Sequence, residues 1–226
     1  MNIGIIAAMK HEMDLIVENL ENLEKTKLKG FNFYIGKLGN NNVVVVEAGV
    51  GKVNAAIATT LLDSEFDVSL VINTGIAGGI APLKTKDVVI GKKLMYHDFD
   101  TTVFGYKYGQ VPGLPAYYAP SDALIMYVKK TFEKYGIEYK LENIYSGDKF
   151  VTSLSDIDKV EDKSGAVEME GCAVAQSCTR LGIDCLVLRY ISDSIGAESQ
   201  IDDYNAFEYE MAEKSASICV TLVKDL

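Results

Sequence analysis

The chain has 226 residues, 48% of them hydrophobic and 24% charged, the make-up of a soluble globular protein long enough to bury one full core. Its 32 acidic residues against 22 basic ones give a formal net charge of −10. The lysine-rich run "KKTFEK" (129–134) reads as the solvated face of a helix, so no basic patch is left to neutralise phosphates, and nucleic acid is not expected as a partner.

Strands and helices alternate along the chain. "NIGIIAA" is a short apolar strand, "HEMDLIVENLENL" has helical spacing at Met13, Ile16, Val17 and Leu20, and "FNFYIGKLGNNNVVVVEAG" reads as a hairpin turning through Gly39 to Asn42. A helix from about Val53 to Leu62 precedes a buried strand "SLVINTG", a longer strand around "DVVIGKKLMYHD" and a helix from about Ser121 to Tyr135. After "ENIYSGD", residues Glu170 to Leu181 are helical, "DCLVLRYIS" is a buried strand, and Asp203 to Val223 form the last helix. β-Branched runs followed by amphipathic helices imply an α/β fold, a largely parallel mixed sheet with helices on both faces, in one domain over residues 1–226.

Cys172, Cys178, Cys185 and Cys219 form no C-x-x-C pair, and with only His11 and His97 beside them no metal set is expected. They read as reduced thiols of a cytoplasmic protein. The apolar start "IGIIAAM" is interrupted by Lys10, His11 and Glu12, and the longest uncharged stretch, Val68 to Leu83, carries Asn73, glycines and Pro82, so no membrane segment is expected.

In sheets of this kind ligands sit beyond the carboxyl ends of the strands. "AAMKHE" (7–12), "NTGIAGG" (73–79), "AVEMEG" (166–171) and "ISDS" (191–194) fall there, and three of the four bring a carboxylate. Each has a plain alternative. Glu12 could complement a helix dipole, Asp193 could be an N-cap, and "NTGIAGG" could be a turn. Met9, Phe150 and Met169 could be core fillers. Glu168 and Glu170 resist such a reading, because alternate spacing puts both on one side of an extended segment in apolar surroundings, where carboxylates need partners. "GVGKVN" (49–54) fits neither a dinucleotide fingerprint nor a Walker A loop, so neither cofactor is favoured.

Taken together, "GIIAAMKHEM", "AGVGKVNAA", "INTGIAGG", "YHDFDTTVFGYKYGQVPG", "SGDKFV", "AVEMEGCAVA" and "RYISD" closely resemble, in order and spacing, the 5′-methylthioadenosine/S-adenosylhomocysteine nucleosidases of the purine nucleoside phosphorylase superfamily. The resemblance covers essentially the whole chain. It implies a twisted, partly closed mixed sheet, a homodimer, an adenine nucleoside substrate and no cofactor. Asp193 is similar to the general acid at adenine N7, with Ser192 supporting it, and Glu12 to the base that activates water. Glu170 is similar to the residue that holds the ribose 2′- and 3′-hydroxyls beside the Met169 backbone, and Glu168 to an acid paired with Arg189. The Phe150 ring and Val151 backbone resemble the adenine-binding parts; Met9, Val50, Ala77 and Gly78 resemble the walls. Phe104, Tyr106 and Pro112, on a loop that a neighbouring subunit contributes in relatives, and Tyr204 match the positions around the 5′-thio substituent. Ile76 departs from the pattern, standing where many relatives carry serine.

Cleaving an N-glycosidic bond builds positive charge on the ribose and negative charge on the departing base, which explains the need for several carboxylates with different proton affinities. A phosphorylase would need arginines beside the ribose, and neither "AAMKHE" nor "NTGIAGG" contains one. A futalosine-type nucleosidase differs only in its 5′ group. A non-catalytic nucleoside-binding module would not need both Glu12 and Asp193.

Overall fold

The structure, a computed structural model, describes residues 1–160 and 162–226. Its spine is the apolar strand β1 (Asn2–Ala7), paired in parallel with β4 (Asn41–Glu47) on one side and β5 (Leu70–Ile80) on the other. Helix α1 (Lys10–Glu18) follows β1 and turns Met13 and Ile16 inward.

The helix expected to reach Leu23 stops at Glu18, where the Asn19 N–H donates back to the Leu15 and Ile16 carbonyls. The chain then forms β2 (Glu21–Leu28), antiparallel to β3 (Phe31–Leu38), which in turn pairs antiparallel with β4. "ENLEKTKL" has no apolar alternation because β2 is an exposed edge strand, held by its hydrogen bonds to β3 and guarded by its charges.

Helix α2 (Lys52–Phe66) leads into β5; then come β6 (Val88–Tyr96), α3 (Asp122–Tyr135), β7 (Lys140–Ser146), β8 (Gly165–Glu168), α4 (Gly171–Leu181), β9 (Asp184–Ser194) and α5 (Gln200–Asp225). The nine strands make one mixed sheet in the order β2-β3-β4-β1-β5-β8-β7-β6-β9, and a further β5–β9 pairing closes the last five strands on themselves. Closure needs curvature, which register shifts supply in β9 at Ser192, skipped between the Ala77–Ile191 and Gly78–Asp193 pairs, and in β6 between Gly91 and Lys93.

Hence "NTGIAGG" is not a turn. It lies within β5, paired with β9 along its length and with β8 from Gly78 to Ile80. The strand runs on past the site because the closed part of the sheet needs it.

Helices α2 and α4 cover one face of the sheet, burying Ala55, Ala58, Leu62, Val174 and Cys178. The other face is packed by α1, α3 and α5, with Ile16, Val128, Phe132, Cys219 and Leu222 in the contact. Each fully buried large apolar side chain contributes about 1.5–3 kcal/mol, so both layers hold the strands that carry the acids. All four cysteines are free and buried. Among the described residues no helix is long and apolar enough to cross a membrane.

Candidate active site

Three parts of the sheet and the loop after β7 (residues 147–153) enclose a cavity of about 210 Å³. Met9, Glu12, Val50, Ala77, Gly78, Phe150, Val151, Met169, Glu170, Ser192, Asp193 and Tyr204 all face it, so twelve of the site residues expected from sequence are brought together.

Glu12 sits at the third position of α1, where its Oε2 accepts the Ala8 and Met9 N–H groups at 3.0 and 2.9 Å. Its Oε1 accepts the Ile76 N–H of β5 at 3.1 Å. The helix-start reading is therefore correct as far as it goes, but the same carboxylate also bridges to the next strand and lines the cavity. Burial raises its pKa, opposed by Arg189 and by the backbone donors at Met9 and Ile76.

Asp193 is not an N-cap: it lies inside β9, buried, with Ser192 Oγ donating to Oδ1 at 2.6 Å and Gln200 Nε2 donating to Oδ2 at 2.8 Å. Desolvation raises its pKa, against the pull of those two donors. Glu12 and Asp193 thus present two carboxyls to one cavity in unlike surroundings, one bound by backbone amides and one by side chains.

The extended-segment reading of Glu168 and Glu170 holds only to the end of β8. Glu168 is the last residue of that strand, and Glu170 is the N-cap of α4. Glu168 Oε2 accepts the Glu170 and Gly171 N–H groups at 3.0 and 2.7 Å and also pairs with Arg189, while its Oε1 accepts Ser146 Oγ. Arg189 donates onward to the Asn73 side chain at 2.6 Å and to the Asn73 carbonyl at 3.2 Å. Glu170 Oε1 accepts the Gly51 N–H at 2.8 Å, and its Oε2 is 4.0 Å from Arg189. Burial first, then the Glu168 charge, push Glu170 up to about 8, with Arg189 and Gly51 opposing.

Phe150 and the half-buried Tyr204 meet edge to face at the mouth, with ring centroids 5.2 Å apart. Ile76 packs in a small apolar cluster with Met211 and Ala212, while its N–H still serves Glu12, so the missing hydroxyl removes a side-chain group without disturbing the backbone contact.

Phe104, Tyr106 and Pro112 do not reach the cavity of their own chain. They lie between β6 and α3, Phe104 in a short 3-10 turn with 76% of its surface exposed. Conversely, Ala8, Lys149, Val167, Ile195 and Gln200 line the cavity without having been singled out. Gln200 carried no local signal, since the last helix was expected to begin only at Asp203 and in fact starts at Gln200.

Residues 2–224 match the model of the phosphorylase superfamily. The 5′-methylthioadenosine/S-adenosylhomocysteine nucleosidase of Oceanobacillus iheyensis is 36% identical over 100% of both chains. The chain belongs to this nucleosidase family. Among solved structures, the corresponding nucleosidase of Neisseria meningitidis in complex with methylthio-immucillin-A superposes with a TM-score of 0.94 at 38% identity, over 100% of this chain and 99% of that one. A futalosine hydrolase of Helicobacter pylori gives a TM-score of 0.93 at 32% identity, over 100% and 98%. In this chain the buried acids around the cavity come from α1 (Glu12), the end of β8 (Glu168), the start of α4 (Glu170) and β9 (Asp193).

Proposed function

We propose that this nucleosidase hydrolyses the N-glycosidic bond of 5′-methylthioadenosine and S-adenosylhomocysteine, and also of 5′-deoxyadenosine, to adenine and the corresponding sugar. The observation that carries the reading is the gathering of Glu12, Glu170 and Asp193, all buried, around one cavity large enough for part of a nucleoside. In the proposed mechanism Asp193 donates a proton to adenine N7, so the base leaves neutral. Glu12 takes a proton from the attacking water, and Glu170 accepts hydrogen bonds from the ribose 2′- and 3′-hydroxyls while its charge stabilises the oxocarbenium-like sugar. Raised proton affinity suits an acid that must hold its proton at working pH, and burial supplies it at Asp193.

Hydrolysis is favoured over phosphorolysis by what the arginines do. The chain has two, Arg180 and Arg189. Arg189, the one near the cavity, turns its Nη1 and Nη2 donors to Glu168, Asn73 and the Leu188 carbonyl. A phosphate dianion beside three carboxylates would lack a counter-charge.

Adenine stacks on Phe150 and is read by the Val151 backbone in this scheme, Met9, Val50, Ala77, Gly78 and Met169 form the walls, and Tyr204 closes the 5′ side. Phe104, Tyr106 and Pro112 complete the neighbouring site in a homodimer. Because these three do not line their own chain's cavity, the 5′ end is the least enclosed part, and that favours testing futalosine-type nucleosides as well. The free buried thiols support a reducing, cytoplasmic setting, where the reaction would serve methionine salvage.

The test is incubation of the purified protein with each nucleoside, with and without phosphate, following adenine directly. Adenine and the corresponding free sugar, formed at a rate independent of phosphate, are expected; a sugar 1-phosphate product would overturn the hydrolase reading, and no adenine at all would point to a binding module.

A further inference from the structure

Gln200 makes three hydrogen bonds that join three separate segments at the site. Its Nε2 donates to Asp193 Oδ2 at 2.8 Å and to the Val151 carbonyl at 2.9 Å, and its Oε1 accepts the Gly196 N–H at 3.0 Å. The residue is 3% exposed, although it stands first in a helix whose fully buried apolar side chains begin at Met211. An amide buried at a helix start with both of its N–H groups used on the cavity side is not explained by the helix. Nothing in α5 requires a glutamine there, because its first turn carries Asp202 and Asp203 to complement the dipole.

The consequence falls on Asp193. A carboxyl held by one donor can turn about its last torsion; held on both oxygens, by Ser192 and by Gln200, it is confined to one plane. We propose that Gln200 is a positioning residue for the general acid: it fixes the plane of the Asp193 carboxyl and ties it to the Val151 backbone, so that the proton donor and the part of the loop that reads the base keep one spacing. This inference rests on Asp193 being the acid.

Gln200 also tunes the proton. A donor to Oδ2 favours the ionised carboxyl, which holds Asp193 lower than burial alone would. The charged and titratable groups facing it are Asp203 and Tyr204 from α5, Glu12 from α1, Glu168 and Glu170 around the start of α4, and Lys149 from the loop after β7. None of these changes when Gln200 does.

The experiment compares Gln200→Met, which keeps length and loses both donors, with Gln200→Glu, which keeps an acceptor for Gly196 and sets a second carboxylate beside Asp193. Both are assayed on 5′-methylthioadenosine from pH 5 to pH 10. In each variant kcat should fall roughly 10-fold while KM moves much less, and the alkaline limb of the pH profile, where Asp193 loses its proton, should shift to higher pH. Parent-like kcat and an unmoved limb in either variant that folds overturn the proposal and leave Gln200 as a packing residue. Asp193→Asn is run alongside: if it keeps its turnover the acid assignment itself fails, whereas an inactive Asp193→Asn beside parent-like Gln200 variants sinks only the inference drawn here.

Discussion

At the scale of single residues, the site separates carboxyls by their partners. Asp193 is bound by a hydroxyl and an amide, Glu12 by three backbone N–H groups, Glu170 by one. Asp193→Asn keeps size and accepts the Ser192 hydroxyl but has no proton to transfer. General acid catalysis is worth about 10²- to 10⁴-fold, roughly 3–5 kcal/mol of barrier, so the variant should fold, bind 5′-methylthioadenosine and lose nearly all turnover, read as adenine release in single-turnover assays. Glu170 yields a different prediction. Its pKa of about 8 keeps it largely protonated at pH 7, and a ribose that brings two hydroxyl donors favours the ionised form. Binding of a non-hydrolysable nucleoside analogue at pH 7 should therefore release a proton and tighten as pH rises towards 8. Calorimetry in buffers of different ionisation enthalpy measures the release directly; a binding enthalpy independent of buffer would contradict it.

Among the elements, β5, β8 and β9 are joined by the buried Glu168–Arg189 pair and Asn73. Arg189 is 1% exposed and its Nε already lacks a hydrogen-bond partner among the described residues. Removing one charge of such a pair leaves the other buried and uncompensated, at a cost of about 3–5 kcal/mol. Glu168→Gln should accordingly lower the thermal midpoint by roughly 10 °C, a change of 2–4 °C per kcal/mol being usual at this size. Strand β5 sets a second limit. A Cβ at Gly75 would come within 3.0 Å of the Glu12 Cδ and closer still to its Oε1. Gly75→Ala should thus displace Glu12 from the Ile76 N–H and cost at least about 10-fold in turnover, with stability lowered far less than by Glu168→Gln; equal loss of both would mean that the strand itself had given way.

For the whole molecule the informative feature is a set of exposed apolar side chains. Val50, Val53 and Ile57 on and before α2, with Val103 and Phe104 after β6, are large hydrophobic side chains left exposed. Isolated exposed apolar residues need no explanation, but Phe104, expected at a neighbouring 5′ subsite, is one that a homodimer would cover. Sedimentation should find a two-chain species, and Phe104→Ala should raise KM for 5′-methylthioadenosine several-fold while leaving the rate of the chemical step near the parent value. A monomeric parent protein with full activity would rule that assembly out.

How much of this was legible beforehand follows from the range of the interactions. Continuous apolar runs marked β1, β5 and β9, which are buried on both faces, and helical spacing marked the five helices, which bury one. The motifs "AAMKHE", "AVEMEG" and "ISDS" marked the acids, because chemistry demands particular residue types. Edge strand β2 left no trace, since its order comes from hydrogen bonds to β3 and not from a buried face. "NTGIAGG" could be read as a turn, and only closure of the sheet shows β5 continuing through it. Gln200 was invisible for the same reason: its meaning lies in contacts with Asp193 and with Val151, 49 residues away in the chain. Sequence alone thus determined the elements that bury apolar side chains and which residues are candidates for acid–base work, both being properties of short segments. Which oxygen of Asp193 meets which donor, where Glu12 points and how far β5 runs were decided only by the tertiary structure, because each depends on distant segments brought together when the sheet closes.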